Sequence, residues 1–358
     1  MHTARWRAEG GTAPPKRVQV IDDTMKADEA YRLACEGTAL LWRGDYQNAR
    51  QLLLAMSRRA DRKSRKTSTV PCEAFNLHRQ AQSQRARTLA MILIPLNADY
   101  TIPLRRAPDI RQACNEAYGA GGIASIASLR ELLGLIGAHE WRKKGVEIPV
   151  LNARIHPHYG VFSPVRGEYL ELVNTAPLAA VELAFDIGTG TGVLAALLAK
   201  RGVKRIVATD QDKRALQCAR ENLEHLGLNE QVEIIQADLF SDGKAQLIVC
   251  NPPWIPARPS SPVEHAIFDP DSRMLRGFIA GLTAHLAPQG EGWLILSDIA
   301  EHLGLRTRAE LLALFEAAGL QVKERLDIKP QHPKVSDVTD PLHAARAAEI
   351  TSLWRLSI

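Results

Sequence analysis

Residues 181–200 confine the chain to a narrow set of folds. Val181-Glu-Leu-Ala-Phe-Asp-Ile is an apolar run of strand length, and Val193-Leu-Ala-Ala-Leu-Leu-Ala-Lys has helical character. Between them Gly188, Gly190 and Gly192 stand at alternate positions. A glycine turn joining strand to helix lets a ligand approach the main chain closely, and the helix behind it presents unbonded N–H groups. The dinucleotide fingerprint wants its third glycine at position 193, which is Val193, so the spacing disfavours a pyrophosphate ligand.

Three more apolar runs follow, each ending in polar chemistry. Arg205-Ile-Val-Ala-Thr-Asp210 delivers a carboxylate where a doubly wound fold places the acid that holds ribose hydroxyls. Gln231-Val-Glu-Ile-Ile-Gln-Ala-Asp238 ends in a second acid, suited to the edge of an adenine ring. Gln246-Leu-Ile-Val-Cys250 carries Asn251-Pro252-Pro253-Trp254 to the rim where open α/β sheets bind ligands. Singly, each element has a plainer use: aspartate after a strand is a common helix N-cap, and Asn and Pro form turns. Their register on successive strands argues for one site.

The succession Asp186-x-Gly-x-Gly-x-Gly, Asp210, Ala237-Asp238 and Asn251-Pro-Pro-Trp resembles the class I S-adenosylmethionine-dependent methyltransferases, over residues 150–358. The Asn-Pro-Pro-aromatic tetrapeptide is similar to that of the amino and amide N-methyltransferases, among them the release-factor and ribosomal-protein glutamine enzymes and the RNA and DNA base-amine enzymes. The glutamine enzymes usually carry Tyr in fourth place, where this chain has Trp254. The resemblance implies a Rossmann-like α/β fold with a mostly parallel seven-stranded sheet and an antiparallel last strand. It also implies S-adenosylmethionine as cofactor, held by Asp186, Gly188, Thr189, Gly190, Gly192, Asp210, Gln211, Asp238, Leu239 and Asn251.

The expected chemistry follows from the acceptor. An amide or exocyclic amine nitrogen delocalises its lone pair and attacks poorly unless its NH2 hydrogens are held and the lone pair is turned toward the methyl group. Asn251 offers a side-chain oxygen and Pro252 a carbonyl as acceptors. Pro252 and Pro253 lack N–H groups and fix φ, making the loop rigid, and Trp254 can stack on a flat acceptor. No basic side chain is required, since the extra proton can leave after transfer. The expected substrate is a glutamine side-chain amide of a translation protein, a release factor or ribosomal protein. A base amine in RNA or DNA is the alternative, a small-molecule amine a third, and a catalytically silent binding subunit a reading of another class.

Charge is unevenly shared. Residues 1–150 hold 24 Lys and Arg against 15 Asp and Glu, leaving 21 against 25 for the remainder of the 45 and 40. The basic residues crowd between Arg50 and Ala90, an electrostatic footprint for RNA, a ribosome or an acidic protein, or else a solvated linker around Arg58–Thr69. Residues 1–27 are expected as a disordered tail, 28–145 as a helical basic domain and 146–358 as the catalytic domain. Helices are expected within Asp28–Ala60 as a hairpin turned at Gly37 and Gly44, over Glu73–Leu93 and over Ser128–Trp141. No metal site is expected: His156 and His158 flank Pro157 without an acid or cysteine to complete a set, and the five cysteines form no ligand spacing or disulfide framework. No apolar run reaches membrane-spanning length and no signal peptide is recognisable, so a cytoplasmic protein without a membrane partner is expected.

Overall fold

The computed structural model describes residues 4–62, 68–165, 167–260, 262–331 and 337–358. The chain divides into two compact units, Met1–Thr69 with Glu73–Glu140, and Val70–Cys72 with Trp141–Ile358.

The first unit carries the expected helices and, in addition, a five-stranded sheet. In chain order it comprises β1 (Arg5–Arg7), β2 (Arg17–Ile21), α1 (Ala27–Cys35), β3 (Thr38–Trp42), α2 (Tyr46–Arg62), α3 (Pro71–Leu89), β4 (Ile92–Leu96), α4 (Arg111–Tyr118), β5 (Ser125–Ser128) and α5 (Leu129–Lys144). The strand order is β1-β5-β4-β3-β2, with β2, β3 and β4 parallel and β5 antiparallel to β4. Two expectations are corrected here. Residues 4–27 are not a disordered tail, since Arg5–Arg7 pair with Ser125–Ala127 and Arg17–Ile21 with Thr38–Trp42. The helical hairpin over Asp28–Ala60 is a helix, a strand and a helix, because Thr38–Trp42 between the two glycines is a buried parallel strand. Short apolar runs such as Thr-Ala-Leu-Leu-Trp and Ile-Leu-Ile-Pro-Leu have no periodicity to separate a buried strand from a helix. Of the basic stretch, Arg58, Arg59 and Arg62 lie on α2, and residues 63–67 fall outside the described residues. Arg59 is paired with Asp28 and Arg85 with Asp61, while Arg50, Arg58, Arg62 and Arg87 are exposed.

The second unit opens with the hairpin β6 (Val146–Ile148) and β7 (Ala153–Ile155), then α6 (Glu168–Thr175). The main sheet follows as β8 (Leu183–Ile187), α7 (Val193–Lys200), β9 (Arg205–Asp210), α8 (Lys213–His225), β10 (Val232–Gln236), β11 (Ala245–Cys250), α9 (Arg273–His285) and β12 (Leu286–Ser297). Short α10 (Ile299–His302), α11 (Arg308–Ala317), β13 (Gln321–Ile328), α12 (His343–Ala348) and β14 (Thr351–Ser357) complete it. The order is β10-β9-β8-β11-β12-β14-β13; the first five are mutually parallel, and β14 runs antiparallel to both its neighbours. This is the sheet expected.

Side chains alternate between two cores, as the pleat requires. Ala184, Trp293 and Ile295 pack with α6 and α7 on one face, and Phe185, Ile187, Leu294 and Leu296 pack with α9 and α11 on the other. Every residue of α7 from Val193 to Ala199 is buried, so this helix sits as an apolar plug against the sheet. The plug fixes where its N-terminus points, and that terminus is the glycine turn.

Candidate functional site

The strand register sets the site. Ile187 is opposite Thr209 on one side and Cys250 on the other, so the glycine turn, Asp210 and Asn251 leave the sheet at one level on three adjacent strands. The change of direction in strand order falls between β8 and β11, the position at which open α/β sheets form their crevice.

Gly188, Gly190 and Gly192 all have positive φ, at 73°, 55° and 81°. A Cβ on Gly188 would collide with Met274 Cε, and one on Gly192 would press at 3.3 Å on Ala219 of α8. Among the described residues nothing lies within 4 Å of the place a Cβ on Gly190 would occupy, so that turn faces open space. Two of the glycines thus serve packing and one opens the main chain to a ligand.

Asp186 is fully buried beneath the turn. Its Oδ2 accepts from the Thr189 hydroxyl at 2.7 Å and the Ala195 N–H at 3.1 Å, while Oδ1 has no hydrogen-bond partner among the described residues. Burial pushes its carboxyl up to about 7, against the two donors and with a further push from the Asp210 charge. A buried oxygen with free lone pairs, under a glycine turn open to solvent, suits the polar end of a ligand that brings its own donor.

Asp210 does not cap a helix; that role belongs to Asp212, whose side chain accepts from the Arg214 N–H at 3.0 Å. Asp210 instead accepts from the Gly190 N–H at 3.1 Å and the Asp212 N–H at 2.9 Å, and burial raises its pKa. A carboxylate has room for four donors, so it can still receive two hydroxyls. Thr189 is buried, and Gln211 is exposed beside Asp210. Asp238 is exposed and paired with Arg273 at the start of α9, so its carboxylate is already shared. Leu239 takes positive φ, 75°, and its carbonyl accepts from the Thr209 hydroxyl at 2.5 Å. Gly277 of α9 leaves the space that the Leu239 side chain fills.

The tetrapeptide has a feature that its sequence did not announce. The Trp254 indole N–H donates to Asn251 Oδ1 at 2.9 Å. An indole only donates, so the atom it meets is the amide oxygen, and the orientation of the Asn251 amide is settled. The oxygen keeps one free lone pair, and Trp254 is tied to Asn251 rather than free to swing. Pro252 is buried and Trp254 half-buried, touching both cores. Cys250 is fully buried with its thiol pushed well up by burial, which suits an inert packing role.

Sequence reasoning missed what supports this loop. Ile255 forms an isolated bridge to Phe268, and the Asp269 N–H donates to the Ile255 carbonyl at 2.9 Å. The Asp269 carboxylate accepts from the N–H groups of Met274 and Leu275, so one residue ties the Asn251 loop to the start of α9. The signal was an Asp-Pro pair just ahead of an apolar helix, a capping pattern. Among the described residues no group of His, Cys, Asp and Glu could hold a metal ion, and no helix is long and apolar enough to cross a membrane.

Known proteins resemble this chain in sequence. The model of the methyltransferase small domain matches residues 152–320. A tRNA1(Val) (adenine(37)-N6)-methyltransferase of Shewanella loihica is 30% identical over 176 residues, 46% of this chain and 70% of that protein. A release factor glutamine methyltransferase of Cereibacter sphaeroides is 34% identical over 165 residues, 42% and 56% of the two chains. A ribosomal protein L11 methyltransferase of Pelotomaculum thermopropionicum is 32% identical over 145 residues, 39% of each. The chain spans about half the length of many of the curated relatives it matches. The match to the tRNA enzyme covers over two thirds of that relative, and with the sheet order and the glycine turn it places the chain in the family of S-adenosylmethionine-dependent methyltransferases.

Proposed function

We propose that this protein is an S-adenosylmethionine-dependent N-methyltransferase whose acceptor is a glutamine side-chain amide of a translation protein. The reading rests on one observation above the others: the Asn251 amide oxygen is held in a single orientation by Trp254, at the end of the strand next to the glycine turn. The residues of the turn suit the cofactor. The open side of Gly190 leaves room for its backbone-hugging portion, Asp210 retains capacity for two ribose hydroxyls, and the unpartnered Oδ1 of Asp186 lies beneath. When bound, S-adenosylmethionine supplies an electrophilic methyl group on a sulfonium.

This chain's residues position the acceptor. Asn251 Oδ1 accepts one hydrogen of the planar NH2 through its remaining lone pair, and the Pro252 carbonyl is available for the other. Holding both hydrogens fixes the plane of the amide, so that the nitrogen lone pair, perpendicular to that plane, can be presented to the methyl group. Half-buried Trp254 screens the acceptor from water. No side-chain base is needed on the nitrogen, because its surplus proton becomes acidic once the fourth substituent is attached.

The glutamine acceptor is supported by the names of the release factor glutamine methyltransferases and a putative protein N5-glutamine methyltransferase among the relatives, and a translation protein also by that of the L11 methyltransferase. A soluble cytoplasmic setting and a partner recruited by the basic first unit belong to the same proposal. The test is incubation of purified protein with tritium-labelled S-adenosylmethionine and extract from a strain lacking the gene, followed by separation of protein, RNA, DNA and small-molecule fractions. Label in a protein band, absent with Asn251→Ala although that variant still binds cofactor, is the expected result. Label confined to nucleic acid would replace the amide with a base amine.

A further inference from the structure

Arg306 is used by nothing described so far. It stands in the turn between α10 and α11, one residue ahead of Thr307, which caps α11 in a reciprocal pair with Glu310. The turn follows the C-terminal end of β12, on the same rim as the Asn251 loop, and the Leu305 N–H donates to the Ala300 carbonyl to close it. Arg306 is only 8% exposed. Its Nε and Nη2 are buried without a hydrogen-bond partner, and it forms no ion pair among the described residues.

That is a costly state for a guanidinium, which carries five donors and keeps its charge at any physiological pH. Buried arginines are otherwise paired with carboxylates or carbonyls, and an unsatisfied buried cation calls for an explanation. Burial lowers the pKa of Arg306, while the Glu301, Asp269 and Glu310 charges favour its cationic form from beyond bonding distance. Glu301 is engaged by Arg308, Glu310 by the Thr307 cap, and Asp269 by the backbone of α9. Each nearby acid therefore has its own partner. Asp269, whose charge acts on Arg306, is also the residue whose N–H donates to the Ile255 carbonyl just beyond the Asn251 tetrapeptide.

We propose that Arg306 is a specificity-determining residue whose guanidinium receives a carboxylate of the protein acceptor, from an acidic side chain close to the methylated glutamine. This rests on the protein-amide reading above. A carboxylate would meet the paired donors of the guanidinium in their fork geometry and remove the isolated buried charge, so the free energy of burying Arg306 is recovered only when the correct acceptor docks.

The experiment uses the full chain, the labelled extract and two variants, Arg306→Met and Arg306→Lys. Arg306→Met is expected to bind S-adenosylmethionine as the parent does, to melt at an equal or higher temperature because an uncompensated charge is gone, and to lose at least 50-fold in kcat/KM on the labelled protein. Arg306→Lys is expected to fall between, since an ammonium keeps charge without the fork. Once mass spectrometry gives the modified glutamine, replacing the neighbouring acid by its amide should reproduce the loss and add nothing to Arg306→Met. Label in protein with an unchanged kcat/KM in Arg306→Met would overturn the carboxylate site alone. A melting temperature lowered by several degrees, with kcat/KM restored at low temperature, would make Arg306 structural and overturn it too. Label in RNA that Arg306→Met abolishes would overturn the amide reading and give the contact to phosphate.

Discussion

Replacing Asp186 by asparagine tests whether the carboxylate beneath the glycine turn is as desolvated as its surroundings imply. The amide can keep its oxygen where Oδ2 accepts from Thr189 and Ala195, and it puts an NH2 where Oδ1 has no partner. The unpaired NH2 costs about 1–3 kcal/mol at every pH. The wild-type cost depends on pH. With the folded carboxyl raised to about 7 from an ordinary 3.8, the protonated form is favoured in the native state. Its contribution to stability is complete below pH 3.8 and is lost as pH rises toward 7. About three units of displacement correspond to about 4 kcal/mol in the ligand-free protein. The substituted amide does not titrate. The stability of Asp186→Asn minus that of wild type, from urea unfolding, should therefore climb by up to about 1.4 kcal/mol per pH unit between pH 4 and 7 and level off above. Titrating groups that do not sense the Asp186 charge cancel in the difference, and Asp210, the smallest cause of the Asp186 shift, alters the slope little. A difference that stays flat from pH 4 to 8 would refute the argument, since the carboxyl would then titrate alike in folded and unfolded chains.

The glycines should separate by cause. Gly188→Ala combines positive φ with a collision at Met274 and should lose about 2–4 kcal/mol, part of it regained by adding Met274→Ala; a double-mutant cycle by urea unfolding reads the coupling. Gly190→Ala meets no neighbour and should lose only about 1–2 kcal/mol, yet weaken S-adenosylmethionine binding more than tenfold by calorimetry; equal cofactor affinity would show that the open side of the turn is not where the ligand lies. Trp254→Phe keeps a ring but removes the donor that orients Asn251, and should reduce kcat about tenfold with cofactor affinity unchanged, as single-turnover transfer from labelled cofactor would record.

The second unit was legible because its elements are long and their punctuation is strong. A glycine turn between an apolar strand and an all-apolar helix, acids at strand ends and a proline-locked tetrapeptide each fix backbone as well as chemistry, so Asp186, Asp210 and Asn251 are found on one rim. The bland alternative for Asp210 also met a clear answer, since Asp212 is the cap. The first unit was less legible. Its strands are three to five residues long, too short for alternation to show, and Thr38–Trp42 reads equally as helix or buried strand. The hydrogen bond from Trp254 to Asn251, the Asp269 anchor and the unpaired Arg306 were hidden for another reason. They depend on which side chains meet once the loops have folded back, and no local pattern encodes such a meeting.

The position of β14 has a consequence for how the polypeptide is made. This strand lies between β12 and β13, with Leu353, Trp354 and Leu356 buried in the two cores, so among the described residues β13 has no sheet neighbour other than β14. A chain emerging from the ribosome can lay down β8 to β12 in sequence, but β13 must wait, its ladder groups and the far edge of β12 open to wrong partners, until residue 357 has appeared. The crevice-bearing strands precede that closure, and a strand that follows all of them in the chain seals the sheet behind them.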